Sequence, residues 1–335
     1  MTSAMTSISR RTAGTLMSAA MVALTLAATP VLAAAQTYPS RPLHLIVNFA
    51  PGGAGDIIGR IVGDRLAAML HQSVVVENRS GAGGTIGARD VVNATPDGYT
   101  LSVAQTPEIS INPYFMRDAG YDPLKDLQPI ALAGVVPLAL VVPAKSPYAS
   151  ATEWVAALRA REALTFASAG VGTPGHLAGE MLKLKLDDKL VHVPYKGAGP
   201  ALSDIAGGQV GFFFSAYPSA VPLTGSGRIR LLAVSTVKRA PAAPEIPTVA
   251  EITGIPDFDF KLWVGFFGPR GLPMPIANKL NAAINSIISE PATMARLRAI
   301  GATITPLSID QFAGFVRADI ARYRAIIDRA NLRLE

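Results

Sequence analysis

Cysteine is absent from this 335-residue chain, and histidine is scarce. Without cysteine the protein can have no disulfide bond, thiolate metal ligand, cysteine nucleophile or lipidated N-terminal cysteine. The histidines are too far apart in the sequence to form a local metal motif. They are His44, His71, His176 and His192. The composition therefore predicts neither a metal centre nor a reactive thiol.

Patterns typical of hydrolases and of nucleic-acid binding are missing as well. The chain has no G-x-S-x-G motif, and neither Ser168 nor Ser215 has a recognisable histidine and acid partner in the sequence. Lysine and arginine are scattered, with no basic stripe interleaved with aromatic residues. We therefore expect neither enzyme activity nor nucleic-acid binding.

Charged residues are also absent from residues 12–40, which follow a pair of arginines. A basic start, an apolar middle and the small residues Ala33–Ala35 are typical of a secretory signal peptide, so we expect residues 1–35 to be removed on export. The apolar run could almost span a bilayer, which makes a membrane anchor the alternative. The alanine-rich end favours cleavage.

About 300 residues follow this segment, enough for two domains with their own cores. No apolar run beyond residue 40 is long enough to cross a bilayer. The whole chain has 30 Lys and Arg against 24 Asp and Glu, and two of the arginines lie in the predicted signal peptide. This mild basic excess suits an anionic small molecule.

What the sequence does contain is one local pattern that occurs twice: an apolar strand, a Gly/Pro loop and an amphipathic helix. The first copy has a strand at 43–47, the loop Pro51–Gly55 and a helix beginning near Asp56. The second has a strand at 164–167, the loop Gly170–Gly172 and a helix beginning at Thr173. Each loop presents unpaired N–H groups and the positive end of a helix dipole, which favour an anion. Two such ends facing one cleft would bind a carboxylate.

Strands and helices alternate along the rest of the chain, which predicts an α/β protein with mainly parallel sheets. We expect one domain to comprise residues 36–138 and 257–335, and the other residues 139–256. Ligands of such sheets bind beyond the carboxyl ends of the strands, where both Gly/Pro loops lie.

The second loop also matches the dinucleotide fingerprint G-x-G-x-x-G, over Gly170–Gly175. The Asp187–Asp188 pair follows too early to bind a ribose, so the match is weak. Thr173 as the N-cap and Pro174 at the first helical position explain the same residues without a nucleotide. A nucleotide-dependent oxidoreductase remains the enzyme alternative.

Three side chains near these loops allow two interpretations each. Asp56 is either a first-turn residue stabilised by the helix dipole or a partner for a cationic or hydroxyl group of the ligand. His176, at the third position of its helix, either binds a ligand or packs in the core. Trp263, in a late strand, either forms an aromatic wall of the cleft or belongs to the core.

Several motifs resemble those of the Bug family, the TctC-type extracytoplasmic solute receptors of tripartite tricarboxylate transporters. The resemblance extends over almost the whole chain after the predicted signal peptide. The motifs are Tyr38–Pro42, Ile46–Gly53, Val75–Asn78, Pro96–Leu101, His192–Gly197, Arg230–Val234, Pro247–Glu251 and Trp263–Gly265.

The resemblance implies a periplasmic binding protein of the type II-like class, with two α/β lobes and a cleft between them. Such a protein captures a small organic carboxylate and delivers it to membrane permease subunits of a tripartite tricarboxylate transporter. It needs no cofactor, and we expect a monomer in the periplasm. A ligand-sensing role in a signalling system is the alternative.

The resemblance also implies which residues face the ligand. One ligand carboxylate would contact the loops at 49–56 and 168–173, and the other end would meet more variable positions. Residues 104–107 and 215–217 would face the cleft. Asn48 and Ala50 replace a Val-Pro-Phe-Pro type of opening, and Ser215 stands where many members have aspartate, which disfavours an amino-acid ligand. The expected ligand-binding residues are Phe49, Pro51, Gly52, Gly53, Ala54, Asp56, Ala104, Thr106, Ser168, Ala169, Gly170, Gly172, Thr173, His176 and Ser215.

Overall fold

Strands and helices alternate in the computed structural model, which describes residues 38–116, 119–160, 163–186 and 189–330. The predicted signal peptide, 1–35, and the Asp187–Asp188 pair lie outside the described residues. The strands are β1 (Leu43–Val47), β2 (Val74–Asn78), β3 (Thr100–Gln105), β4 (Leu127–Pro143), β5 (Thr165–Ser168), β6 (Val191–Pro194), β7 (Phe212–Ala216), β8 (Ile229–Val234) and β9 (Lys261–Pro269).

The helices lie between these strands and at the C-terminal end. They are α1 (Ala54–Leu70), α2 (Thr85–Val92), α3 (Asn112–Phe115), α4 (Pro123–Asp126), α5 (Ala151–Arg159), α6 (Pro174–Lys185), α7 (Ala198–Ala206), α8 (Tyr217–Gly225), α9 (Val249–Thr253), α10 (Met274–Ser289), α11 (Pro291–Ala299) and α12 (Ile309–Ala330). A 3-10 turn (Ala82–Gly84) precedes α2, and a π-helical turn (Pro107–Ile111) follows β3.

Two groups of parallel strands form the two lobes. In the first lobe β1 lies between β2 and β3, and in the second β5 lies between β6 and β7, with parallel pairing throughout. These strands are short and mostly apolar, as expected where helices cover both faces of a sheet. This architecture confirms the predicted α/β fold with two lobes.

Two strands run antiparallel to their neighbours and connect the lobes. The 17-residue β4 pairs with β9 along Leu127–Pro137 and then with β7 and β8 along Leu138–Pro143. β9 also pairs antiparallel with β3. The expectation of mainly parallel sheets therefore holds inside the groups of strands and is wrong for β4, β8 and β9. The chain crosses between the lobes in extended strands, and these need no helical crossover.

Each lobe has its own buried cluster of side chains. Trp263 packs with Phe267 and Phe312 in the first lobe, and its Nε1 donates to Asp319 Oδ2 at 2.7 Å, so it is a core residue. Trp154 on α5 is fully buried in the second lobe. Its ring meets Phe212 edge to face at 5.1 Å, because the apolar side of α5 faces the sheet.

No helix in the described ranges combines the length and the apolar composition needed to cross a membrane.

Candidate functional site

The first Gly/Pro loop connects β1 to α1 and leaves helix N–H groups without protein partners. Gly53 is the N-cap of α1 and supplies no side-chain cap, and the first helical bond runs from Ile57 N to Gly53 O at 3.0 Å. The N–H groups of Ala54, Gly55 and Asp56 therefore have no acceptor among the described residues. Together with the dipole of the 17-residue helix, they form a positive site that requires no charged side chain.

Asp56 holds this loop in shape. Its Oδ2 accepts from Gly52 N at 3.0 Å, and its Oδ1 accepts from Arg60 Nε at 2.9 Å and from Asn78 Nδ2 at 3.1 Å. Asn78 Nδ2 also donates to Phe49 O at 2.9 Å. Both carboxylate oxygens are thus engaged by protein donors, and this geometry favours the structural interpretation of Asp56.

The second loop, between β5 and α6, uses most of its own donors. Gly170 N donates to Ser168 Oγ at 3.2 Å, and Thr173 N donates to Gly170 O at 3.3 Å. Gly172 N donates to His176 Nδ1 at 3.2 Å, and His176 N donates to the N-cap hydroxyl of Thr173 at 3.3 Å. Because the glycine amides are engaged inside the loop, they are not free to hold a pyrophosphate, as a dinucleotide site requires.

A pair of stacked imidazoles supports the second loop. The rings of His176 and His192 lie 4.0 Å apart at 16°, and His192 Nε2 lies 2.7 Å from Ser168 Oγ. Burial lowers the pKa of His176 to about 3 and that of His192 to about 4, so both rings are neutral at physiological pH. The lowered pKa values and the stacking favour the packing interpretation of His176.

Ser168 thus has a histidine partner that the sequence did not reveal, 24 residues away. Ser168 is fully buried, and in the part of the chain that the structure describes no carboxylate hydrogen-bonds to His192. The pair therefore lacks both the acid and the access that a nucleophilic serine needs.

The two loops face each other across a cleft that contains two cavities. The inner cavity has a volume of about 30 Å³, room for about one water molecule. Its lining is mostly apolar and carries no charge; it consists of Phe49, Gly53, Ala54, Gln105, Pro107, Leu138, Ala169, Thr173, Pro174, Gly175, Ala198, Phe213, Phe214, Ala216 and Leu262.

The outer cavity has a volume of about 350 Å³ and shares two lining residues with the inner one. Its one charged lining residue among those described is Lys196. The full lining is Phe49, Gly81, Ala82, Gly83, Gly84, Met116, Ala169, Gly170, Val171, Pro194, Tyr195 and Lys196. Lys196 and the loop at 81–84 were not in the expected set, although both stand in Gly-rich segments that follow a strand.

The lobes touch on both sides of these cavities through glycines. A Cβ added to Gly199 would lie 2.6 Å from Pro51 O, and one added to Gly52 would lie 3.9 Å from Gly199 Cα. A Cβ on Gly83 would lie 2.8 Å from Val171 O. The approaches at Gly199 and Gly83 leave no room for a side chain, so the structure is a closed form of the cleft.

Six of the expected ligand-binding residues line a cavity: Phe49, Gly53, Ala54, Ala169, Gly170 and Thr173. Pro51 and Gly52 contact the second lobe, while Asp56, Ser168 and His176 brace the loops. Gly172 lies against Asn112 of the first lobe, whose side chain would clash with any Cβ at that position.

Three other expected residues point away from the cavities. Ala104 belongs to the core of the first lobe, and Thr106 Oγ1 accepts from Trp263 N at 3.0 Å. Ser215 is fully buried and bonds to Ala216 O at 3.2 Å. The side chains beside them line the inner cavity instead, namely Gln105, Pro107, Phe214 and Ala216. Side chains alternate between the two faces of a strand, and applying this rule to β3 could have found Gln105.

No group of three His, Cys, Asp or Glu side chains within the described ranges is placed to hold a metal ion.

Residues 58–332 match the family model of the tripartite tricarboxylate transporter family receptor, TctC. Protein BugT of Bordetella pertussis is 34% identical over 303 residues, which are 90% of this chain and 93% of BugT. The structure of Rhodopseudomonas palustris Rpa4515 with adipate has a TM-score of 0.85 at 33% identity and covers 88% of this chain and 99% of that one. MatC of the same species, with bound malate, has a TM-score of 0.79 at 31% identity, covering 87% and 100%.

Proposed function

Because the chain belongs to the TctC family of tripartite tricarboxylate transporter receptors, we propose that it captures a small organic carboxylate in the cleft between its lobes. The observation that carries this proposal is the N-terminus of α1. There Ala54, Gly55 and Asp56 present three N–H groups with no acceptor among the described residues, and Gly53 and Ala54 line the inner cavity. Backbone donors at a helix N-terminus bind a carboxylate without a cationic side chain.

The outer cavity, of about 350 Å³, has room for the carbon chain of such a ligand, whereas the inner cavity holds about one water molecule. Phe49 lines both cavities, and the described lining residues of the inner one carry no charge. Among the described residues the outer cavity provides one cation, Lys196, which would pair with a second carboxylate group of the ligand. A linear dicarboxylate therefore fits this arrangement best. The related structures with adipate and malate also contain dicarboxylates.

Capture would occur by closure of the lobes about β4 and β9. These two strands pair across the connection, with Val136 opposite Leu262. A ligand that contacts both lobes binds the closed form more tightly than the open one and so shifts the population toward closure. The domains would then be residues 36–138 with 257–335 and residues 139–256, as expected from the sequence.

The biological setting belongs to the same proposal. The chain would be exported by the signal peptide at 1–35, act as a monomer in the periplasm and deliver its ligand to the permease subunits of a tripartite tricarboxylate transporter. It would be a receptor without catalytic activity. The solved relatives include a periplasmic transporter and the periplasmic binding protein BugD, which supports this setting.

Thermal unfolding of the purified protein with a panel of mono-, di- and tricarboxylates tests the function. A ligand that binds only the folded state raises the unfolding temperature, and the rise grows with the ratio of the ligand concentration to the dissociation constant. We expect stabilisation by at least one dicarboxylate, confirmed by isothermal titration calorimetry, and none by the matching diamide. Equal responses to the acid and the diamide, or no response to any carboxylate, would refute the proposal.

A further inference from the structure

A buried carboxyl group lies directly behind the wall of the cleft. Glu108 is in the π-helical turn Pro107–Ile111 and has no exposed surface. Its Oε1 accepts from Asn48 Nδ2 at 2.8 Å and from Gln105 N at 2.7 Å. Its Oε2 has no hydrogen-bond partner among the described residues. A π-helical turn is rare and is often retained at functional sites.

The unpartnered oxygen faces the outer cavity across a single glycine. A Cβ added to Gly84 would lie 3.0 Å from Glu108 Oε2 and 2.8 Å from Phe49 Cε2. Gly84 and Phe49 both line the outer cavity. Because Gly84 has no side chain, the carboxyl group lies against the backbone of a residue that lines the space a ligand would enter.

The protonation of this group is set by its surroundings. Burial raises the pKa of Glu108 to about 8, although the hydrogen bonds from Asn48 and Gln105 act in the opposite direction. No charged side chain contributes to this shift. The titratable group in contact with Glu108 is Tyr121, whose hydroxyl donates to the backbone oxygen of Glu108. Burial raises the pKa of Tyr121 above its usual range, so it stays neutral.

Since Oε1 accepts both hydrogen bonds, the proton of the neutral carboxyl belongs on Oε2, on the side of Gly84. We propose that Glu108 determines which charge the cleft accepts: the neutral carboxyl admits an anionic ligand, and an ionised carboxylate behind Gly84 would repel it. The repulsion would act through protein of low dielectric constant. This inference rests on the proposed function, and it makes carboxylate binding coupled to uptake of one proton.

Asn48, where the sequence departs from the pattern that the resemblance to the Bug family implies, determines which oxygen of Glu108 accepts hydrogen bonds. Asn48 is fully buried, and its Nδ2 also lies 3.0 Å from Ser102 Oγ. Its amide donates to Oε1 of Glu108, so Oε2 is the oxygen on the side of the cleft.

Calorimetric titrations with adipate and malate at several pH values, on the wild type and on Glu108→Gln, test the inference. Both ligands stay ionised throughout the range. We expect the wild-type affinity to fall about tenfold from about pH 7 to about pH 9, because one required proton is lost above the pKa of Glu108. Glutamine is neutral at every pH, so the affinity of Glu108→Gln should not change.

Equal pH dependence of the two proteins would overturn the role of Glu108. If no carboxylate of the panel described above bound the wild type below pH 7, the proposed function itself would be in error. Infrared difference spectra of the wild type minus Glu108→Gln distinguish an error about Glu108 from an error about the proposed function, because they need no ligand. A protonated carboxyl band is expected near pH 7 and should be lost near pH 9, and its absence near pH 7 would overturn the inference.

A second variant covers the case in which Glu108→Gln does not fold. Asn48→Leu removes a hydrogen bond that lowers the pKa of Glu108. The loss of adipate affinity should therefore move to higher pH, whereas an unchanged midpoint would contradict the inference.

Discussion

The two strand, loop and helix units look alike in sequence, yet they differ in the hydrogen bonding of their backbone amides. At α1 the N–H groups of Ala54, Gly55 and Asp56 have no acceptor in the part of the chain that the structure describes, and the N-cap is a glycine without a side chain. At α6 the N-cap is Thr173, and the amides of the loop donate to side chains and carbonyls of the same segment. The first unit is therefore suited to hold an anion, and the second to hold a fixed shape.

The difference follows from side chains, because the glycine content of the two loops is similar. Thr173 and His176 act as internal acceptors in the second unit. In the first unit the acidic side chain, Asp56, is turned back to Gly52, Arg60 and Asn78 and does not cap the first turn of its helix. The same sequence pattern thus produces one loop with free N–H donors and one loop whose donors are engaged in holding its shape.

The largest expected effect comes from placing the same charge at both N-caps. This pair of variants tests directly whether the two loops differ in anion binding. Gly53→Asp should weaken binding of a dicarboxylate by about a hundredfold or more, because like charges at a site that excludes water cost several kcal/mol. Thr173→Asp should weaken binding by about tenfold or less, because the amides of its loop are already engaged. Calorimetry on both variants measures this difference.

Gly53→Asn is the matched control for charge, since it has nearly the same shape as Gly53→Asp. The Cβ of either side chain fits, because it would lie 3.4 Å from its nearest neighbour, Ala50 O. Asp and Asn are both good N-caps, so neither variant should unfold the protein. Equal losses of affinity in Gly53→Asp and Thr173→Asp would show that the two loops are equivalent.

A smaller effect sharpens the role of closure at the first loop. Gly199→Ala would place a Cβ 2.6 Å from Pro51 O, so the lobes could not come as close as in this structure. We expect ligand affinity to fall about tenfold, or about 1.4 kcal/mol. Gly225→Ala is the control, because a Cβ there meets nothing within 4 Å. If both variants bound as tightly as the wild type, the contact between Pro51 and Gly199 would be irrelevant to binding.

The smallest effect concerns the pair His176 and His192, which supports the second loop. It is an effect on stability that depends on pH. The pKa of His192 is lowered to about 4 in the folded state, so the unfolded chain binds its proton first as the pH falls below about 6.5. His192 therefore contributes stability that is present above this range and is lost as the pH falls toward 4. The wild type should lose on the order of 1 kcal/mol more between pH 7 and pH 5 than His192→Gln does.

Urea unfolding of the wild type and of His192→Gln at pH 7 and pH 5 measures this contribution of His192 to the free energy of unfolding. The comparison with the variant is necessary because Glu108 has a raised pKa and acts with the opposite sign over the same range. If His192→Gln showed the same change of unfolding free energy as the wild type, the neutral imidazole pair would not stabilise the second loop.

Local patterns in the sequence were sufficient for the elements around the site. The loop at 51–55 and the cap at Thr173 follow from Gly, Pro and Thr placed between apolar strands and amphipathic helices, and the structure has α1 and α6 there. The two-lobed α/β fold and the family are confirmed. The expected ligand-binding residues remain a prediction, since their contacts with a ligand await the experiments above.

The faces of the strands were harder to predict. Ala104, Thr106 and Ser215 were expected in the cleft, and they point into the protein, while Gln105 lines the inner cavity. In a fully buried strand both faces are apolar, so composition does not indicate which face meets the cleft. Glu108 was not singled out at all, because a lone glutamate after a strand looks like an ordinary surface residue.

The sequence by itself determined that two helices begin at Gly/Pro loops after buried strands, because that depends on residues a few positions apart. The tertiary structure alone decided which amides stay free, which strand faces line the cleft and which carboxyl group is buried. Asn78 reaches Asp56, His192 reaches Ser168, and Asn48 reaches Glu108, each across 20 or more residues. Hydrogen bonding and desolvation depend on such distant neighbours, which only the folded chain brings together.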